Sequence, residues 1–132
     1  MSNLSIGIIG AGPSGLCMAR ALKHEKIPFT IYEKHSGVGG IWDIQNEGTP
    51  MYESAHFISS KTLSGFPDFP MPDHFPDYPK REQVLEYLQA FARHYGLLES
   101  IQFDSQIKSV TQQTDQSWTL ELANGQIGRA HV

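Results

Sequence analysis

The sequence predicts an α/β fold that begins with a strand, a glycine-rich turn, a helix and a second strand. Residues 4–10 form an apolar β-like run, and the pattern G-x-G-x-x-G occupies 10–15 directly after it. A helical pattern follows over 14–24, and 28–33 have the composition of a second strand. A glycine turn placed between a strand and a helix is typical of a Rossmann-like dinucleotide-binding domain.

Each glycine of the turn has its own function in such a domain. Gly10 permits the tight turn, Gly12 lets the backbone approach a pyrophosphate, and Gly15 lets the helix pack closely on the strand. The helix then offers free N–H groups and the positive end of its dipole to phosphates. Pro13 suits the first helical turn, where its missing N–H has no partner to lose. An ordinary glycine turn without a ligand is the alternative.

The second strand ends in an acid that favours the binding interpretation. Glu33 lies eighteen residues beyond Gly15, near the spacing at which a carboxylate accepts hydrogen bonds from a ribose diol. A solvated acid at a strand end is the alternative. These residues alone do not distinguish FAD from NAD. The negative charge of Glu33 disfavours the 2′-phosphate of NADP by like-charge repulsion.

The first helix is expected to bury one face against the sheet. Leu16, Ala19 and Leu22 have the spacing of that face. Cys17 is expected to be a small packed residue rather than a nucleophile. It is the only cysteine, which excludes an internal disulfide or a C-x-x-C redox pair and fits a reducing compartment.

An irregular region and a second helix follow. Residues 43–79 have no clear period and contain six of the eight prolines, so we expect a functional or covering loop. Its aromatic residues argue against disorder. Residues 80–95 predict a helix between Pro79 and Gly96. Its apolar stripe is expected to be core packing and comprises Val84, Leu88, Phe91 and Tyr95.

The carboxy-terminal part predicts a β-hairpin. Residues 101–113 and 117–123 alternate as strands do, with a polar connection between them. The turn signal Asn124-Gly125 precedes a possible further strand over 127–132.

Composition narrows the class of protein. The chain has 132 residues, of which 39% are hydrophobic and 18% charged, so it forms one domain or less with a packed core. A net charge of −4 without a long basic run gives no electrostatic support for a nucleic-acid partner. Neither a signal segment nor an apolar run of membrane-spanning length is present, so cytoplasmic localisation is expected. The six histidines show no metal-ligand spacing, so no metal site is predicted.

The order of several motifs resembles the flavin-containing monooxygenase family, which is related to Baeyer–Villiger monooxygenases. The motifs are GAGPSG over 10–15, Glu33-Lys34, GGIW over 39–42 and SSK over 59–61. The stretches 66–72 and 83–88 extend the resemblance over almost the whole chain. The G-G-x-W segment is much more specific than the glycine turn, and it argues against an NAD-linked dehydrogenase half, which does not need it.

The resemblance implies a FAD-binding half-site. The residues implied to cradle the pyrophosphate are Gly10, Gly12, Pro13, Ser14 and Gly15. Those implied to lie along the ribityl chain and the flavin are Gly40, Ile41 and Trp42. Glu33 would hold the adenosine ribose with Lys34 beside it, Ser59 would approach the flavin, and the backbone of Ile107 would meet the adenine. For Trp42 a covering core aromatic is the alternative, and for Ser60 and Lys61 a solvated surface position.

The sequence departs from the family pattern in two ways. Many members carry Asn at the position of Ile58, and an apolar side chain cannot donate the hydrogen bond that Asn supplies near the flavin's reactive edge. The chain also lacks the second glycine motif for NADPH, the F-x-G-x-x-x-H signature before it, and the A-T-G strand that closes the FAD domain.

The resemblance and these absences together predict the function. We expect 1–132 to be an incomplete FAD-binding segment, truncated before the NADPH domain, of an NADPH-dependent flavin monooxygenase that oxygenates a small-molecule substrate with O2. No catalytic residue is predicted in this segment, and the missing carboxy-terminal part is the expected partner. The alternative is a non-catalytic or partner-dependent nucleotide-binding module. An open sheet edge is expected where the closing strand is missing.

Overall fold

A three-stranded parallel sheet organises the first half of the fold. In the computed structural model, which describes residues 4–131, strands β1 (Ile6–Ile9), β2 (Phe29–Tyr32) and β3 (Ile101–Gln102) lie side by side in that order. Helix α1 (Pro13–His24) connects β1 to β2. Parallel strands place their carboxyl ends at one edge, so the glycine turn after β1 and the acid after β2 are neighbours. The α/β, Rossmann-like fold class is confirmed.

Helix α1 packs on the sheet as its sequence predicts, with one exception. Leu16, Ala19 and Leu22 are buried. A Cβ on Gly15 would lie 2.0 Å from the carbonyl oxygen of Gly10, so only glycine lets the helix approach the turn this closely. The expectation that Cys17 is packed is wrong, because its side chain is exposed. Cys17 lies about 100° around the helix from Leu16 and therefore leaves the buried face.

Helix α3 (Arg81–His94) completes the main core together with α1 and the parallel sheet. Val84, Leu88 and Phe91 of the predicted stripe are buried, and Tyr95, just beyond the helix end, is half-buried. The buried face is wider than the stripe, since it also includes Tyr87, Ala92 and Arg81. The extra width is covered by the proline-rich region, which packs on the same helix.

The proline-rich region is an ordered cover over α3. It contains one short helix, α2 (Lys61–Ser64). The ring of Phe66 stacks on Tyr87 and Phe91, with centroids 5.9 and 4.3 Å away. Lys61 Nζ donates to the carbonyl oxygens of Asp73 at 2.8 Å and Phe75 at 2.6 Å. Lys61 is therefore not a free surface charge, since it fastens the cover.

The predicted strand over 101–113 is two strands in different sheets. Its first two residues are β3, and β4 (Ile107–Gln112) forms an antiparallel meander with β5 (Trp118–Leu122) and β6 (Ile127–Ala130). Asp104 interrupts the run with a φ of +51°, and Ser105 N donates to the carbonyl oxygen of Glu33 at 2.8 Å. The hairpin and the turn at Asn124-Gly125 are confirmed.

The meander docks on the parallel sheet through a second, smaller core. Tyr32 at the end of β2 packs with Leu120, Leu122 and Ala130. A Cβ on Gly128 would lie 2.5 Å from the hydroxyl oxygen of Tyr32, so the ring uses the space that glycine leaves. Ser5 and His131 form an antiparallel bridge beside β1. Within residues 4–131 no helix is long and apolar enough to span a membrane.

The first prediction concerns the hydroxyl group that joins the cover to α3. Tyr87 is 3% exposed, accepts a hydrogen bond from Phe66 N at 2.8 Å and donates one to Phe69 O. Tyr87→Phe leaves a half-buried N–H and a half-buried carbonyl without their phenol partner, so we expect the free energy of unfolding in urea to fall by about 0.5–1.5 kcal/mol. Tyr78→Phe is the matched control, because Tyr78 is 55% exposed. Equal effects of the two substitutions would contradict this role.

The same phenol predicts an alkaline loss of stability. Burial raises the pKa of Tyr87 above its ordinary value of 10.0. The folded chain then holds the phenolic proton more tightly than the unfolded chain does. The resulting stability is complete below about pH 10 and is lost as the pH rises through the raised pKa. Urea unfolding between pH 9 and 12 should show a steeper decline in the natural chain than in Tyr87→Phe.

Candidate functional site

A cleft of about 380 Å³ opens at the carboxyl edge of the parallel sheet, where the glycine turn and the end of β2 meet. It is walled by parts of the chain that are far apart in sequence. Seven of the predicted site residues line it: Gly10, Gly12, Glu33, Lys34, Gly40, Ile41 and Ile107. The structure therefore brings most of the predicted site together in one place.

Glu33 lies at the base of this cleft and joins two of its walls. The residue is 4% exposed. Its Oε1 accepts a hydrogen bond from Ala11 N at 2.7 Å, and its Oε2 accepts one from His35 N at 2.8 Å. Two carboxylate oxygens offer about four acceptor positions, so capacity remains for the hydroxyl groups of a ribose. Glu33 can thus hold the protein's own turn and a ligand at once.

The glycine turn is paired within the protein and leads into the free N–H groups at the start of α1. Gly10 has a φ of +101°, and its N–H donates to the carbonyl oxygen of Tyr32 at 2.9 Å. Gly12 is the residue that caps α1, and no side chain caps the helix there. The first N–H groups of α1 have no partner within the helix and carry its positive dipole end. This donor set fits a diphosphate.

A second glycine-rich turn packs backbone against backbone on the first. The GGIW segment forms a single 3₁₀ turn, Gly40–Trp42. A Cβ on Gly40 would lie 3.0 Å from the Cα of Gly12, and Gly39 N donates to the carbonyl oxygen of Ala11 at 3.0 Å. A Cβ on Gly39 would meet Leu85 of α3 at 2.3 Å. Gly40 is thus required by a close backbone contact, and Gly39 by its φ of +127°.

The remaining predicted residues lie away from the cleft lining. Pro13 and Ser14 border a shallow apolar groove on the outer side of α1, and Gly15 lies under the turn. Trp42 packs edge-on against Phe57, with ring centroids 4.9 Å apart. Exposed Ser59 places its hydroxyl oxygen 2.5 Å from that of Ser64. The roles of these residues towards a cofactor stay predictions.

A separate apolar surface groove contains Trp42 and Phe57. Trp42 lines it together with Tyr52, Phe57 and Ile58. Ile58, where many family members carry Asn, is exposed here. The packing of Trp42 on Phe57 fits the alternative that it is a covering aromatic.

Sequence reasoning missed half of the lining. The residues it did not identify are Ile9, Tyr32, Asn46, Glu47, Gly48, Thr49, Ser105 and Gln106. Ser105 and Gln106 directly precede Ile107, so their position next to a predicted contact is a signal that could have found them. The segment 46–49 carries no motif, and only the three-dimensional path of the chain brings it to the cleft. In the described part of the chain no three His, Cys, Asp or Glu residues are grouped as metal ligands would be.

The fold and the cleft define a dinucleotide-binding domain of the Rossmann type. The chain belongs to the flavin-binding monooxygenase-like family, whose family model matches residues 3–124. Flavin-containing monooxygenase 3 of Macaca mulatta is 41% identical over 114 residues, which are 83% of this chain and 21% of that protein. The chain thus spans about a fifth of the length of this curated relative.

Solved structures of monooxygenases share the fold. The S-allyl-L-cysteine S-oxygenase of Allium sativum superposes with a TM-score of 0.82 at 28% identity, over 96% of this chain and 34% of that one. A steroid monooxygenase bound to NADP superposes with a TM-score of 0.82 at 23% identity, over 97% of this chain and 25% of that one, and this likeness shows the fold alone. The resemblance inferred from the motifs is confirmed.

A prediction follows from the contact between the two glycine turns. Gly40→Ala adds a Cβ 3.0 Å from the Cα of Gly12 at a φ of +58°. Gly48→Ala is a matched control, because it shares a positive φ of +80° but its Cβ would have no neighbour within 4 Å. Both variants lose stability through the unfavourable φ. We expect Gly40→Ala to lose about 1–3 kcal/mol more, since backbone must move. Thermal and urea unfolding measure this difference, and equal losses would contradict the contact.

Proposed function

We propose that this chain is the FAD-binding segment of an NADPH-dependent flavin monooxygenase that uses O2 to oxygenate a small-molecule substrate. The observation that carries the proposal is the meeting of Gly12, Glu33 and Gly40 at one cleft. Membership of the flavin-binding monooxygenase-like family supports FAD as the ligand. The GGIW turn favours FAD over NAD, because nicotinamide-binding Rossmann units do not need that segment.

The chain's own residues would bind and orient the cofactor. Glu33 would accept hydrogen bonds from the ribose hydroxyls of the adenosine, with Lys34 at the rim. The N–H groups at the start of α1 would hold the pyrophosphate, and Pro13, Ser14 and Gly15 would shape that helix start. Gly40 and Ile41 would lie along the ribityl chain, with Trp42 and Ser59 farther towards the flavin. Ile107 would meet the adenine through its backbone.

The chemistry itself would come from the cofactor. Bound FAD would supply the redox chemistry that couples oxidation of NADPH to reduction of O2. No acid–base pair in the cleft is assigned a catalytic role. Membership of the flavin-binding monooxygenase-like family supports NADPH as the reductant. Its site would lie in the remaining part of the full-length enzyme, outside 1–132.

A second candidate function rests on the length of the match. Because the chain corresponds to 21% of a relative, it could act as a FAD-binding module that works only with a separate carboxy-terminal polypeptide. The cleft would bind FAD in the same way in both cases. The two functions differ in whether oxygenation requires a second chain.

Nucleotide binding tests the proposal directly. In Gly12→Ala the new Cβ would lie 3.6 Å from Gly40, which is ordinary contact, so the fold should persist. The same methyl group occupies space that the pyrophosphate needs, so we expect FAD affinity to fall roughly tenfold or more with unchanged urea unfolding. Cys17→Ala is the control, because this exposed side chain lies outside the cleft. Flavin fluorescence and calorimetry measure the affinities. Tight binding of NAD without retention of FAD would overturn the proposal.

Turnover by the isolated chain separates binding from catalysis. With FAD, NADPH and a sulfide or an amine, we expect NADPH oxidation to be slow and not matched by oxygenated product. A reductant that is not held beside the flavin loses the advantage of orientation, which contributes roughly 7–11 kcal/mol in favourable cases. Product formation equal to NADPH consumption would show that 1–132 contains a complete active site.

A further inference from the structure

One wall of the cleft has no regular secondary structure of its own. The segment 43–49 supplies Asn46, Glu47, Gly48 and Thr49 to the lining, yet it contains neither helix nor strand. Such a segment keeps one position only if side chains fasten it to the rest of the fold.

Asp43 fastens the first part of this segment. Its Oδ2 lies 2.9 Å from Nε2 of His35, and the two side chains are 13% and 17% exposed. Because a carboxylate only accepts hydrogen bonds, the ring nitrogen is the donor. The other carboxylate oxygen accepts from Gln45 N at 2.9 Å, and the carbonyl oxygen of Asp43 accepts from Asn46 N at 3.0 Å. Asp43 thus bonds both to His35, outside the segment, and to the turn formed by Gln45 and Asn46 within it.

His35 connects this contact to the two other walls. Its N–H donates to Glu33 Oε2 at 2.8 Å, and its carbonyl oxygen accepts from Asp104 N at 3.2 Å. The latter residue directly precedes the cleft-lining stretch 105–107. A single residue therefore holds the buried carboxylate, the irregular segment and the β3–β4 connection at set distances from one another.

A second side-chain contact joins segment 43–49 to the chain directly after β2, and it is weaker. Lys34 Nζ reaches the carbonyl oxygen of Glu47 at 3.4 Å in an exposed position. A largely buried hydrogen bond to a carboxylate is stronger than a long, solvent-exposed one. The His35–Asp43 contact is therefore the stronger of the two side-chain connections between segment 43–49 and residues 34–36. Farther along the segment, Asn46 and Thr49 donate to the carbonyl oxygens of Gly40 and Ile41 and join it to the GGIW turn.

We propose that His35 and Asp43 are a positioning pair that holds segment 43–49 against the dinucleotide cleft and so slows the release of the bound dinucleotide. Neither residue is part of the cleft lining, although His35 lines an adjoining polar pocket that shares Asn46 and Glu47 with the cleft. The pair therefore acts on the cleft through the segment. The inference rests on the proposed FAD binding, and it adds residues to which no motif of the sequence pointed.

The test uses four variants of the pair and one control. His35→Phe removes the donor but keeps a ring, Asp43→Ala removes the carboxylate, the third variant combines these two changes, and His35→Gln keeps a donor. His24→Phe is the control, because its ring also lies 3.0 Å from a carboxylate, that of Glu25, but is 83% exposed. Hydrogen exchange of the ligand-free chain and FAD dissociation followed by flavin fluorescence are the two measurements.

The expected results separate positioning from general stabilisation. His35→Phe and Asp43→Ala should each speed amide exchange in 44–49 while α1 and β2 keep their protection. Each should release FAD roughly tenfold faster, and the double variant should be no worse than either single one. His35→Gln should keep most of the retention, since its amide is also a donor, and His24→Phe should behave as the natural chain.

Three results would overturn the inference. They are additive losses in the double variant, faster exchange throughout α1 and β2, or unchanged FAD release despite a loosened segment. A natural chain that binds no FAD, but whose variants loosen 44–49 alone, would refute the proposed function while still supporting the pair as the fastening of that segment.

Discussion

The cleft depends on one buried carboxylate. Glu33 accepts hydrogen bonds from Ala11 N and His35 N, so it fastens the glycine turn after β1 to the chain that leaves β2. Burying an unpaired carboxylate would be costly, and these two bonds offset that cost. Because both donors are backbone groups, they hold the path of the chain rather than one rotamer. The other walls, including the GGIW turn on Ala11 and the Ser105 contact, are arranged around this point.

Close backbone contact extends this arrangement to the second turn. Gly12 and Gly40 approach so closely that a side chain on Gly40 would meet the Cα of Gly12. The residues that form the phosphate-binding turn and those expected to follow the ribityl chain are therefore parts of one packed unit. This explains physically why the G-G-x-W segment accompanies the first glycine motif and is more specific than that motif alone.

Local sequence rules predicted the β–α–β unit, the position of Glu33 at the end of β2, and the meander turns. They succeeded because glycine placement and hydrophobic periodicity depend on residues only a few positions apart. These rules failed where contacts between residues far apart in sequence decide the local structure. Residues 101–113 alternate as one strand, yet Ser105 bonds to the carbonyl of Glu33 and divides them between two sheets. Cys17 has a packable side chain but lies beyond the buried face of α1. The wall 46–49 carries no pattern, since its position depends on residues outside it: Asn46 and Thr49 donate to the carbonyl oxygens of Gly40 and Ile41.

The backbone hydrogen bonds of the glycine turn have a consequence for the thermodynamics of binding. Gly10 N is paired with Tyr32 O, and Ala11 N with Glu33, by bonds made entirely within the chain. The turn is thus preorganised, so the free energy of binding would not have to offset a conformational-entropy cost of ordering it. Association would then resemble docking into a rigid template, and the entropic penalty would fall mainly on the flexible dinucleotide itself.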